Sequence, residues 1–219
     1  MSDMKTTELR DRLLDGLERL ASVMRADVRR KAASQGINAA QNAILRLLLA
    51  RPAGLRVRAI ADHLGVRQPT VSDSLVAMEH KGLVERRRDP SDARAAIITA
   101  APSARTQPTA PASSHATAVL AELSGPEQAS LLKTLIKIIR GLQLRQAIPP
   151  QRMCVTCEYF RPFAHPGGEA PHHCAFVDAP FGDRALRLDC AEHEEASSSL
   201  AARNWSAFTL SRPHDEARP

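Results

Sequence analysis

Four thiols carry the most distinctive chemistry in this 219-residue chain: Cys154, Cys157, Cys174 and Cys190, in the pattern C-x2-C-x16-C-x15-C. Two thiolates two residues apart on a tight turn can grip one ion, and four suffice for tetrahedral zinc or for an iron–sulfur cluster. The second pair is spread too far to make another knuckle, so the pattern is not that of a zinc ribbon. Histidines crowd the same stretch; His172 or His173 beside Cys174, or His193 beyond Cys190, could replace a thiolate. The plainer alternative is four reduced cysteines acting as small core hydrophobes. Against it, all four fall in one short, loop-rich segment with little other material for a core. The irregular spacing tips the expectation towards an iron–sulfur cluster, with zinc as the alternative. Tyr159, Phe160, Phe163, Phe176 and Phe181 would shield such a site.

A second group of residues suits a polyanion. Arg86, Arg87, Arg88 and Arg94 surround one turn, a field matched to phosphates or a narrow minor groove. Just before them, Gln68, Thr70, Ser72, Asp73 and Ser74 gather short hydrogen-bonding side chains at the start of a helix, where base edges and phosphates are met in a major groove. An αα-hairpin with a polar surface and a solvated charge run are the corresponding plain readings. Net charge agrees with the polyanion. Residues 1–150 hold 23 Lys and Arg against 14 Asp and Glu, whereas 151–219 hold 7 against 10, so a basic body precedes a mildly acidic end.

The elements that must position these groups change character near Pro149-Pro150. All seven Phe, Tyr and Trp residues and all four cysteines follow that pair, and the first 150 residues use Leu, Ile, Val, Ala and Met. Apolar residues at 9, 13, 17, 20, 24 and 28 predict a long striped helix over about 6–31, with Thr6 or Thr7 available as its cap. Helices are predicted over 38–51, 56–64 and 68–81, the last two stopped by Gly65 and Gly82. Pro69 is tolerated in a first helical turn. Residues 83–99 read as two strands around Asp89-Pro-Ser-Asp92, good turn chemistry. The stretch 100–114, with Pro102, Pro108 and Pro111, reads as an irregular linker. Helix resumes near 115–123, and a last one over 126–146 shows the stripe Leu131, Leu135, Ile138, Ile139 and Leu142. Beyond 196 the chain is polar and reads as a short helix or a disordered tail.

Residues 57–83 carry a helix-turn-helix signature. Ala61 is small where two helices approach, Leu64-Gly65-Val66 makes the turn, and Val71, Leu75 and Met78 bury the second helix. With Ile60-Ala-Asp-His-Leu-Gly65, Gln68-Pro-Thr-Val-Ser72, Met78-Glu-His-Lys-Gly-Leu-Val84 and Arg88-Asp-Pro-Ser-Asp-Ala-Arg94, the chain resembles the MarR family of winged-helix regulators over about 6–146. The resemblance implies a homodimer whose first and last helices interlock, with two recognition helices in successive major grooves of a pseudo-palindromic operator in double-stranded DNA. On that pattern Gln68, Pro69, Thr70 and Ser72 lie at the groove, Arg94 fills the wing arginine position, and Asp92 holds it. One departure is the proline-laden 100–114, where the family runs from the wing almost directly into a long helix.

The expected fold is therefore mainly α: a winged helix-turn-helix with a small β-hairpin wing, a helical dimerisation region, and a small metal-stapled C-terminal module. The expected domains are 1–150 (DNA-binding core 38–99), a four-cysteine module over 151–195, and a tail over 196–219. The expected function is DNA-binding transcription regulation with redox or metal sensing at the cysteines. One alternative is a small-molecule-responsive regulator with a structural zinc. A more distant one is a CxxC redox or metal-transfer protein, although no thioredoxin-like βαβ pattern surrounds Cys154-x2-Cys157. No phosphate loop, Ser/His/Asp set or catalytic carboxylate pair stands out, so an enzyme is not expected. The N-terminus has no apolar run resembling a leader and no stretch matches a membrane span, so a cytoplasmic protein with reduced thiols is expected.

Overall fold

The structure, a computed structural model, describes residues 2–105 and 114–210, and the chain divides into two compact units, Met1–Glu122 and Leu123–Pro219. The first holds α1 (Ser2–Ser34), α2 (Ala39–Leu49), β1 (Leu55–Arg56), α3 (Val57–Leu64), α4 (Gln68–His80), β2 (Val84–Asp89), β3 (Asp92–Ala100), α5 (Pro102–Arg105) and α6 (Ser114–Glu122). The second holds α7 (Gly125–Leu144), β4 (Phe160–Arg161), β5 (His172–Cys174), β6 (Ala179–Phe181) and α8 (Ser198–Leu210). Among the described residues no helix is long and apolar enough to cross a membrane.

In the first unit the helix ends follow the predicted chemistry. Asn38 accepts the Gln41 N–H at 2.8 Å while its own N–H reaches the Gln41 side chain at 3.3 Å, so α2 starts there. Gly82, at φ +64, lets the Leu83 and Gly82 N–H groups close on the carbonyls of Met78 and Glu79 (3.0 and 2.9 Å), which ends α4 and releases the chain into β2. The strands form an antiparallel sheet in the order β1-β3-β2, with Leu55 opposite Ile98 and Arg86 opposite Ile98 on the other side. Strand β1 was not foreseen. Gly54 permits it, because at φ +81 a side chain there would press on the Ile98 carbonyl at 2.5 Å. The core is aliphatic: Ile44, Leu48, Ile60, Val71, Leu75, Met78 and Ile98 are all fully buried.

Helix α1 begins at Ser2 and passes through Thr6 and Thr7, so neither is its cap. Its stripe is left open: Leu9, Leu13, Leu17, Leu20 and Met24 are 42–60% exposed. Farther along, Asp27 is buried and accepts the His115 N–H at 3.3 Å, and it meets His115 Nδ1 at 2.9 Å, which ties α6 to α1. Of the proline-rich stretch, Pro102 opens the short α5, whereas Pro108 and Pro111 lie outside the described residues.

In the second unit α7 starts at Ser124, whose N–H and hydroxyl both donate to Glu127 (2.8 and 2.6 Å). It buries Ile136, with Leu132 and Ile139 beside it, in a core shared with Met153, Val155, Cys157, Phe160, Leu186 and Phe208. The expected boundary at Pro149-Pro150 therefore differs from the division found, since α7 packs with the cysteine segment. The predicted stripe is mostly outside this core: Leu131, Ile138 and Leu142 are exposed. Two apolar rows run side by side along α7, one covered and one bare. The small sheet is antiparallel in the order β4-β5-β6. Helix α8 covers it with a fully buried Phe208, and Asn204 donates to the Phe160 carbonyl at 2.8 Å. The segment expected to be a tail is thus part of the module as far as Leu210, and 211–219 lie outside the described residues.

Candidate nucleic-acid interface and cysteine site

Helix α4 buries Val71, Leu75 and Met78 on one side and leaves Gln68, Pro69 and Thr70 exposed, with Ser72 half-buried, at its first turn. Those four positions share the free N-terminal end, where unpaired backbone N–H groups and the helix dipole favour phosphate. Ser74 instead turns back on its own helix, donating to the Thr70 carbonyl at 3.0 Å. Arg67, exposed at the N-cap, stands at the same end and escaped the sequence reading because it precedes the motif.

The wing separates its arginines into two kinds. Arg86 is bonded to Glu79 of α4 at 2.8 Å, which fastens hairpin to helix, and Arg87 reaches Glu85 at 3.1 Å. Arg88 and Arg94 are exposed and have no ion-pair partner among the described residues. Asp92 accepts the backbone N–H of Arg94 at 3.0 Å, so the expected hold on Arg94 is a main-chain contact, with no bond to the guanidinium.

The wing tip is fixed by residues not singled out from the sequence. Asp89, buried, accepts the Ser91 hydroxyl (2.7 Å) and N–H (2.8 Å) and the Arg56 Nε (2.6 Å). These bonds, Ser91 first, bring its carboxyl down to about 2. Arg56 adds a bond to the Ser91 hydroxyl at 3.0 Å, so β1 clamps the turn. Only the pairing of β1 with β3 brings Arg56 there, 33 residues from Asp89.

All four cysteines are free thiols and line one cavity of about 150 Å³ in the second unit. Cys154 and Cys157 flank a single 3₁₀ turn, Cys174 ends β5, and Cys190 sits in the loop after Leu188. Tyr159, Phe160, Phe176 and Phe181 form much of the wall, with the Tyr159 and Phe176 rings 5.4 Å apart and tilted at 59°. Burial pushes the Cys154 thiol up to about 11. Burial also raises Cys190, aided by its bond to Glu192. Among the described residues no group of three or more His, Cys, Asp or Glu side chains is arranged to hold a metal ion. The four sulfurs nevertheless border one space, and thiolates are the donor type that zinc or an iron–sulfur cluster takes.

The histidines are used elsewhere. His172 is fully buried; its Nε2 meets Asp183 at 2.7 Å and its Nδ1 accepts the Phe163 N–H at 3.3 Å, which leaves no lone pair for a metal. Asp183 in turn pairs with Lys133 of α7 at 3.4 Å, so this histidine anchors β5 within the unit. His173 faces His165 at 3.2 Å and Asp178 at 3.2 Å, while His193 contacts the Thr156 hydroxyl at 3.0 Å. None of the three lines the cavity.

Residues 37–96 match the model of the MarR family. No curated protein matches the chain. A MarR transcriptional regulator from Methanosarcina mazei Go1 is similar in structure, with a TM-score of 0.50 and 17% identity over 61% of this chain and 99% of its own. The S. aureus MepR–DNA complex is similar at 25% identity over 57% of this chain and 94% of that one, with a TM-score of 0.49. Reduced AbfR bound to DNA is 22% identical over 64% and 98%, with a TM-score of 0.45. Helices α2 to α4 and the β2–β3 wing are laid out as a winged helix-turn-helix, residues 37–96 of which match the MarR family model, and all four cysteines lie beyond those residues.

Proposed function

We propose that the protein is a cytoplasmic, dimeric, DNA-binding transcription regulator whose grip on its operator depends on an iron–sulfur cluster held by Cys154, Cys157, Cys174 and Cys190. The DNA-binding half rests on one arrangement. The polar first turn of α4 and the guanidinium groups of Arg88 and Arg94, which have no ion-pair partner among the described residues, belong to a helix and wing joined by the Arg86–Glu79 pair, as a groove-and-phosphate reader requires. The match of residues 37–96 to the MarR family supports the same reading. Dimerisation is supported by two bare apolar rows, Leu9 to Met24 on α1 and Leu131, Ile138 and Leu142 on α7, which a second copy would cover.

The cluster reading rests on the cavity. Zinc bound by four thiolates at about 2.3 Å draws the sulfurs around a single ion and leaves no room between them. The four thiols border a partly open space of about 150 Å³, which has room for a multi-atom centre as well as for one ion, and the irregular spacing of the cysteines tips the reading towards a cluster. When bound, a cluster supplies reversible one-electron chemistry; the chain supplies four ligands, an apolar wall, and a mechanical outlet through α7. That helix puts Ile136 into the core that contains Cys157 and turns its other row outward, so a change at the cysteines would be felt at the dimer seam.

The test is to purify the protein anaerobically, record its visible spectrum, select bound sequences from a random duplex pool, and compare loaded, stripped and Cys154→Ala protein on the selected duplex. A brown protein whose stripped form differs in affinity by several-fold supports the proposal. Equal affinity in all three forms confines the centre to a structural role, and a colourless zinc protein removes the cluster.

A further inference from the structure

Two charged side chains stand at the cavity's rim, and their bonding points to a role in setting its chemistry. The backbone N–H of Arg187 donates to Cys154 Sγ at 3.2 Å, and its guanidinium Nη1 lies 3.6 Å from Cys190 Sγ. The same Nη1 is 3.4 Å from Glu192, which accepts the Cys190 thiol hydrogen at 3.2 Å. As a thiol, Cys190 is thus held by the carboxylate. Once it gives up its proton to become a ligand, that bond cannot persist, because two acceptors would then face each other. The guanidinium beside it can then donate to the new thiolate, together with the backbone N–H of Glu192. A cationic donor within bonding reach of a ligand sulfur, in a site walled largely by apolar side chains, favours whichever state of the centre carries more negative charge.

Resting on the cluster reading above, we propose that Arg187 and Glu192 form an opposed pair of positioning residues that sets the reduction potential of the cysteine-held centre. Arg187 raises it by donating to Cys190, and Glu192 lowers it by sharing the same guanidinium. The couple is a single electron taken from a reductant such as dithionite, with no bond made or broken in the protein. The two groups act on one sulfur with opposite sign, so their removal should move the potential in opposite directions, which a merely structural contribution would not do.

The experiment is an anaerobic redox titration of the full chain, followed by visible absorption and electron paramagnetic resonance, for wild type, Arg187→Gln, Arg187→Lys and Glu192→Gln. At a fixed poise the expected change for Arg187→Gln is about a tenfold fall in the reduced-to-oxidised ratio, equivalent to about 59 mV for one electron. Arg187→Lys should recover part of it, and Glu192→Gln should shift the ratio the other way. If all variants load to the wild-type absorbance and titrate together, the pair has no such role, although the cluster stands. Shifts of the same sign in Arg187→Gln and Glu192→Gln would also overturn it. A colourless, zinc-loaded wild type would overturn both the cluster and this assignment. Should Arg187→Gln fail to fold, Arg187→Lys and Glu192→Gln still decide the sign.

Discussion

The division of the wing arginines into tied and untied groups makes a quantitative demand on salt dependence. Arg88 and Arg94 have exposed guanidinium groups with no ion-pair partner among the described residues, so they can meet phosphates without first breaking an ion pair. A dimer presents both twice, so the double variant Arg88→Ala/Arg94→Ala removes four candidate phosphate contacts. Each neutralised phosphate adds about 0.9 to the slope of log affinity against log salt, so the slope should fall by about 3.6. Between 50 and 200 mM salt, that loss removes about two decades of salt sensitivity. Because both side chains are exposed, thermal stability should stay within about 0.5 kcal/mol of wild type. Arg86→Ala is the contrasting variant. Its guanidinium is already held by Glu79 at 2.8 Å, so its removal should loosen the hairpin against α4 while changing the slope little. Fluorescence anisotropy on the selected duplex across that salt range measures both quantities. A slope unchanged by the double variant would mean that the wing never reaches the backbone, and the helix-and-wing account of binding would fall with it.

Two further outcomes follow from the packing. Phe208→Ala empties a fully buried aromatic position and should cost about 3–5 kcal/mol, read as an earlier urea transition in the fluorescence of Trp205, the chain's single tryptophan; an unmoved midpoint would mean that α8 does not dock. Asp89 carries a carboxyl depressed to about 2 in the fold against 3.8 in its ordinary state, so its share of stability is complete above about pH 5 and disappears as pH falls towards about 2. The stability gap between wild type and Asp89→Asn should therefore close over that acid range, and a gap that stays constant from pH 6 to 2 would contradict the bonding described.

What could be read in advance follows from how local each signal is. Helix α4 was legible because its start and stop are chemical: Pro69 in the first turn, Gly82 in the left-handed position after the last, and Val71, Leu75 and Met78 between. The wing was legible through Asp89-Pro-Ser-Asp92, which can hardly be anything but a turn. Strand β1 was not, because two residues have no periodicity and Leu55–Arg56 is a strand only by virtue of pairing with β3. Arg56 was missed with it. On α7, Leu131, Leu135, Ile138, Ile139 and Leu142 made one stripe conspicuous, but Ile139 packs with Leu132 and Ile136 in a second row beside it. Spacing alone could not say which of the two this chain covers. The four cysteines line one space, whereas the histidines, equally crowded in sequence, spend their nitrogens on Asp183, Thr156, Asp178 and each other. Ligand type is visible in a sequence, whereas side-chain direction depends on strand register. Helix α8 looked polar because only one face of it is needed to seal a small core.

The double-sided α7 also decides how this chain tolerates being cut. The paired prolines at 149 and 150 look like a natural seam, and a DNA-reading fragment ending there would keep every residue of the helix-wing reader. It would also strip Ile136 of its neighbours Met153, Phe160 and Phe208, leaving a helix greasy on two adjoining sides with a partner for only one. Such a fragment would clump where the full-length chain stays dispersed. The cysteine segment thus covers one side of α7, and its loss would be felt first as poor solubility.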